Sequence, residues 1–242
     1  MSAVFTPVDR ASWSRRQAFW YYTDAAPTAY SVTCRLDVTN TRQALKEAGL
    51  RFFPAYVWLV TEAEQRGRPC KSRFFPAYVW LVTEAISHQS AFRLAERDGV
   101  LGHWSQLVPA YPRLCREDGS TALLWTAHQP SFRGFHAAYL ADCARYPAQG
   151  DLLTRKGPPP ENSYVISCIP WFTFDSFALQ TQRPKGYFFP SFEAGAFQEQ
   201  DSRIWMPLSI TAHHAAADGW HLKGFLEELT AAFAAPEAWI NT

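Results

Sequence analysis

The chain has 242 residues, with 23 Lys and Arg against 22 Asp and Glu, and a net charge of +1. Hydrophobic residues make up 48% and charged residues 19%. That excludes a disordered or coiled-coil chain and suffices for one sizeable core. The near-zero charge excludes a dedicated nucleic-acid binder, because counterion release needs a basic surface.

The opening stretch MSAVFTPVDRASWSRR lacks an apolar run, so no secretory signal is expected. Residues 30–38 (YSVTCRLDV) read as a strand with Val32, Cys34, Leu36 and Val38 on one face. Residues 41–48 read as a short helix ended by Gly49. Then RFFPAYVWLVTEA occurs twice without a mismatch, at 51–63 and at 73–85. Solenoids need several diverged units. Two identical copies are a local duplication inside one domain spanning 1–242. Each copy predicts an apolar helix with Pro54 or Pro76 in its first turn. After Ala85, Ile86 extends the apolar stripe, whereas Glu64 stands at the matching place after Ala63. The second copy is therefore expected in the core.

Residues 100–108 and 163–169 read as strands, and 155–160 (RKGPPP) as a loop. Residues 204–212 (IWMPLSITA) read as a strand, with Pro207 indicating an edge or a bulge. Leu222, Phe225, Leu226, Leu229 and Phe233 fall at helical spacing. Strands and helices are interspersed without βαβ alternation or a Gly-rich phosphate loop, which predicts an α+β layered domain. The longest apolar runs are too short to span a bilayer. Five cysteines (Cys34, Cys70, Cys115, Cys143, Cys168), none in CxxC spacing, predict a reducing, cytoplasmic setting without disulfides or a zinc knuckle.

The chemistry concentrates at His213-His214-Ala215-Ala216-Ala217-Asp218-Gly219, which follows a strand and opens a helix. Adjacent histidines at a strand end point to opposite faces, so one can meet a cleft while the other packs. Asp218 is placed to cap the helix. A core histidine with a capping aspartate is one reading; His214 as a general base for a hydroxyl is the other. Two or three ligands without a second cluster do not make a metal site. No GxSxG nucleophile elbow is present.

HHAAADG resembles the HHxxxDG motif shared by CoA-dependent acyltransferases. Residues 167–177 (SCIPWFTFDSF) resemble the SxxPWxxFxSF segment of the chloramphenicol acetyltransferase family. Residues 12–22 (SWSRRQAFWYY) resemble that family's WxRxxxF opening, and the repeated segment its KFYPAxxYLxxxA helix. The resemblance covers nearly the whole chain apart from 22 residues. It implies a two-layer α/β sandwich, assembled as a homotrimer with active sites between subunits. The implied reaction is acetyl transfer from acetyl-CoA to the primary hydroxyl of chloramphenicol, by direct attack in a ternary complex and without a metal.

By the same resemblance, His214 is the base and Ser167 a donor to the oxyanion, though a strand serine bonding backbone is the bland alternative. Asp218 pairs with Arg15. Tyr22, Phe135, Phe177 and Leu179 line the antibiotic pocket. Trp171, Phe197 and either Arg51 or Arg73, with Arg73 preferred, lie near CoA. Glu193 replaces a family threonine and Ala196 a common basic residue, so the oxyanion and CoA sites are expected to differ from the family norm. Two other readings are a different hydroxyl or amine acceptor, and an oligomer impaired by the duplication.

Overall fold

The computed structural model describes residues 3–48, 74–115, 119–179 and 186–242. In chain order these form β1 (Phe5–Pro7), α1 (Arg16–Trp20) running into a π-helical turn (Tyr21–Ala25), β2 (Ala29–Asp37), α2 (Thr39–Glu47), α3 (Phe74–Ser87), β3 (Leu94–Arg97), β4 (Val100–Trp104), β5 (Val108–Leu114), β6 (Thr121–Trp125), α4 (Phe132–Arg145), β7 (Ser163–Cys168), β8 (Ser191–Ala194), β9 (Gln198–Gln200), β10 (Arg203–His213) and α5 (Gly219–Ala234). The main sheet runs β2-β10-β8-β7-β5-β6, with β9 added to β10; β1, β4 and β3 make a small second sheet. β5, β7 and β8 are mutually parallel, and the other pairs are antiparallel.

Period-two alternation gives the main sheet two unlike faces. Leu36, Ile166, Phe192, Leu208 and Ile210 face the core, which α3, α4 and α5 close with Tyr78, Phe135, Phe225, Leu229 and Phe233. The alternate residues of the same strands are Ser31, Thr33, Ser167, Ser191, Glu193, Ser209 and Thr211. This second face is polar, and much of it is nevertheless buried.

The second repeat copy supplies α3. Its side chains from Phe74 to Ile86 are buried almost all round, which is the signature of a core helix. Ile86 has no exposed surface. The first copy, with Arg51, and also Cys70 and Arg73, lie outside the described residues. Deleting 51–72 gives the same 220-residue chain as deleting 64–85, because 22 residues are lost from 242 either way. That chain keeps every buried residue of α3 and is expected to melt at least as high and stay as active. A lower melting temperature or a lost assembly would show that the extra segment has become part of the fold.

Several elements differ from expectation for local reasons. Residues 100–108 are two strands, because the chain leaves β4 in the small sheet and enters β5 in the large one. Between them Ser105 Oγ accepts the Val4 amide at 2.9 Å. α2 starts two residues early, where Asp37 Oδ1 accepts from the Thr39 amide at 3.0 Å. Pro207 lies within the central strand β10, not at an edge, and is tolerated at a break in its neighbour. Its carbonyl accepts the Gly195 amide at 3.0 Å between the β8 and β9 pairings, so its missing N–H faces the gap. Gly195 is required there, since a Cβ would sit 2.7 Å from the Pro207 ring and 2.8 Å from that of Phe174.

Among the described residues, Cys34, Cys115, Cys143 and Cys168 form no disulfide. Among the described residues no helix is long and apolar enough to cross a membrane.

Candidate active site

The HHAAADG segment leaves the C-terminal end of β10 as a tight turn. The Ala216 and Ala217 amides both donate to the His213 carbonyl, at 3.0 and 3.1 Å. His213 Nδ1 accepts the Ala215 amide at 3.2 Å, and its ring meets Phe188 edge-on at 5.1 Å. The first histidine is thus committed to the turn. Ala215 and Ala216 are not mere spacers. They are buried in a second apolar cluster with Phe19, Leu94, Leu101 and Phe188, where larger side chains would not fit without rearrangement.

His214 points elsewhere. Its ring stacks on Tyr22 at 3.9 Å between centroids, with planes 5° apart, and meets Tyr30 edge-on at 5.1 Å. Its amide donates to the Thr28 carbonyl at 2.9 Å. Its Nδ1 is buried without a hydrogen-bond partner among the described residues. A buried polar atom left unpaired is costly and is characteristic of functional positions.

Asp218 and Arg15 lock the turn. Arg15 Nη1 donates to Asp218 Oδ2 at 2.6 Å, and Nη2 donates to the His214 carbonyl at 3.2 Å. Asp218 caps α5 by accepting the Trp220 amide at 3.1 Å, and His221 Nδ1 lies 2.8 Å from its Oδ1. Partial burial opposes ionisation of Asp218, but the bonds from Arg15 and His221 outweigh it and hold the carboxyl down at about 2. The Tyr30 hydroxyl donates to the Ala217 carbonyl at 3.2 Å. Burial and the negative Asp218 push the Tyr30 phenol up to about 12, so it stays a neutral donor.

Ser167 sits on the polar face of the sheet. It is opposite Glu193, which is opposite Ser209, which is opposite Thr33. The 169–177 segment is pinned across this row. Ser209 Oγ donates to the Phe177 carbonyl at 2.7 Å, and the Phe177 amide donates to Thr33 Oγ1 at 3.2 Å. The Ala196 amide donates to the Phe172 carbonyl at 3.0 Å. Next to Ser167, the Cys168 thiol lies on the core face, and burial pushes it up to about 12. That leaves it unsuited to act as a thiolate near neutral pH.

Strand geometry sets how far Ser167 is from the histidine turn. His213 is four residues beyond Ser209 along β10, and Ser167 is two strands across from Ser209. At about 3.3 Å per residue and about 4.8 Å per strand, the two Cα atoms are roughly 16 Å apart on the sheet. Within one chain Ser167 and the histidine turn therefore stand well apart along the sheet.

Comparison with known proteins decides what this arrangement belongs to. The family model described as chloramphenicol acetyltransferase matches residues 3–69 and 65–230, so each matched stretch contains one repeat copy. A chloramphenicol acetyltransferase of Clostridium perfringens is 32% identical over 229 residues, covering 93% of this chain and 97% of the relative. Chloramphenicol acetyltransferase 2 of Haemophilus influenzae is 31% identical, covering 93% and 95%. This chain belongs to the chloramphenicol acetyltransferase family.

Membership makes it an acyltransferase. The fold agrees: a solved chloramphenicol acetyltransferase superposes with a TM-score of 0.77 at 20% identity, covering 94% of this chain and 99% of its own. The dihydrolipoamide acetyltransferase of Azotobacter vinelandii superposes at 0.61 with 15% identity, covering 87% and 83%.

The residues named from sequence fall into three groups. Arg15, Tyr22, Asp218 and His214 converge on the turn, while Ser167 lies in the polar row and Phe177 is bonded across it through its backbone. Leu179 is half-buried, Trp171 is 62% exposed, and Phe197 packs edge-on against Phe74 at 5.0 Å. Phe135 departs from its expected place in the antibiotic pocket. It lies on the buried side of α4 with no exposed surface, its ring 6.1 Å from that of His128, so it is core. Tyr30 and His221 were missed. Each looked like an ordinary strand or helix residue, and its contacts to the motif appear only after folding.

Proposed function

We propose that this protein transfers acetyl from acetyl-CoA to the primary hydroxyl of chloramphenicol. His214 is the general base and Ser167 an oxyanion donor. The supporting observation is the His214 ring: it is clamped between Tyr22 and Tyr30 with Nδ1 turned inward, which leaves Nε2 to meet an acceptor. His213, by contrast, is spent on the turn.

In the proposed step His214 Nε2 takes the hydroxyl proton as the oxygen attacks the thioester carbonyl carbon. Charge gathers on the carbonyl oxygen, toward which the Ser167 hydroxyl donates. When the intermediate collapses, the C–S bond breaks. The imidazolium returns the proton to the CoA sulfur, so His214 ends as it began. Direct attack needs no covalent enzyme intermediate. Trp171 and Phe197 are assigned to the CoA side, together with Arg73. Tyr22, Phe177 and Leu179 are assigned to the antibiotic.

The separation of Ser167 from His214 supports a site built between subunits of a homotrimer, His214 from one and Ser167 from the next. The residues flanking the histidine turn support it too. Trp20 is 60% exposed and Trp220 is 76% exposed, apolar surface of the kind an interface covers. A soluble, cytoplasmic enzyme fits the composition.

The decisive assay follows thiol release from acetyl-CoA with a thiol reagent. Fast release on adding chloramphenicol is expected. Release only with another hydroxyl or amine would point to a different acceptor, and no release to an impaired oligomer.

A further inference from the structure

We propose that His221 is a positioning residue for the catalytic turn, acting on His214 through Asp218 and Arg15; the role rests on the acetyl-transfer reading above. His221 is the third residue of α5, where capping boxes ordinarily carry Glu or Gln. Its Nδ1 lies 2.8 Å from Asp218 Oδ1 and 3.2 Å from the Asp218 amide nitrogen. One nitrogen cannot serve both groups, since the carboxylate needs a donor and the amide an acceptor. A bare lone pair at 2.8 Å from an ionised carboxylate is repulsive. The shorter contact therefore places a proton on Nδ1, donated to Oδ1.

With that proton in place, both Asp218 oxygens are held. Oδ1 accepts from His221 at 2.8 Å and from the Trp220 amide at 3.1 Å, and Oδ2 accepts from Arg15 at 2.6 Å. Arg15 then passes its second nitrogen to the His214 carbonyl at 3.2 Å. The chain of bonds runs unbroken from His221 to the backbone of His214. A Glu at the same place would set a second carboxylate against Asp218, and a Gln would bring a longer, looser side chain. Imidazole offers a rigid donor, and Arg15 is a mostly buried cation whose orientation depends on a fixed carboxylate.

The test compares His221→Asn, whose amide nitrogen can occupy the Nδ1 position, with His221→Leu, which keeps the bulk and removes the donor. His221→Leu is expected to lose about tenfold to a hundredfold in kcat, with KM for both substrates and the melting temperature little changed. His221→Asn is expected to recover most of kcat, to within about threefold of the parent chain. Nitrogen-15 shifts of the parent His221 ring should show a protonated Nδ1. A leucine variant with full kcat, an asparagine variant as slow as the leucine one, or a bare Nδ1 would each overturn the proposal. Should the leucine variant fail to fold, the nitrogen-15 signature decides. A parent chain that acetylates nothing would sink the acetyl-transfer reading instead, and the ring shifts would still test the hydrogen bond.

Discussion

His214→Ala is expected to abolish nearly all turnover, while His213→Ala keeps most of it. A positioned general base contributes about 10²–10⁴ in rate, and more when it also orients the hydroxyl it deprotonates. The two neighbours are built for different tasks. His213 accepts the Ala215 amide and packs on Phe188, so its loss loosens a turn that Ala216 and Ala217 also tie. His214 spends only its backbone on the fold: its amide bonds Thr28 and its carbonyl accepts from Arg15. Its ring is held by stacking, which leaves a nitrogen for chemistry. Steady-state rates, with melting temperatures to confirm folding, check this. An active His214→Ala with a dead His213→Ala would reverse the assignment.

Ser167→Ala is expected to lower kcat by about 10²–10³ with little change in KM for either substrate. A hydroxyl aimed at a developing oxyanion acts in the transition state and barely in the ground state, so its loss appears in kcat. The position suits that role. Ser167 ends the row shared with Glu193, Ser209 and Thr33, on the face over which the 169–177 segment is pinned. A serine that merely bonded backbone would change stability and leave kcat alone. A nucleophilic serine would also lose kcat, but would show ping-pong kinetics and a trapped acetyl group on Ser167. Either outcome would remove Ser167 from the proposed role.

The histidine turn was legible in sequence because its signals are local. A strand pattern ends at Ala212, Asp218 has capping chemistry, and apolar residues at helical spacing follow; β10 runs one residue further at each end, and α5 starts directly after Asp218. What escaped was decided by long-range contact. Tyr22 rides on a π-helical turn that no local pattern announces, and it meets His214 from the far end of the chain. Tyr30 reads as the edge of a strand, yet its hydroxyl reaches Ala217. α4 was not foreseen, because Gly134 and a run of small residues blur its periodicity. Its cap is Ser131, which accepts the Gly134 amide at 3.1 Å. Phe135 was misplaced for a related reason: an aromatic in an unrecognised helix gives no sign of which side it faces.

Subunit exchange tests the central claim most directly. His214→Ala and Ser167→Ala chains are each purified, then unfolded together and reassembled, and acetyl transfer to chloramphenicol is measured. If each site takes His214 from one subunit and Ser167 from the next, every mixed trimer contains one interface with both residues intact. Activity should then rise well above that of either variant reassembled alone. Mixed assemblies no more active than the separate variants would contradict the account, because His214 and Ser167 would then have to act within one chain or not together at all.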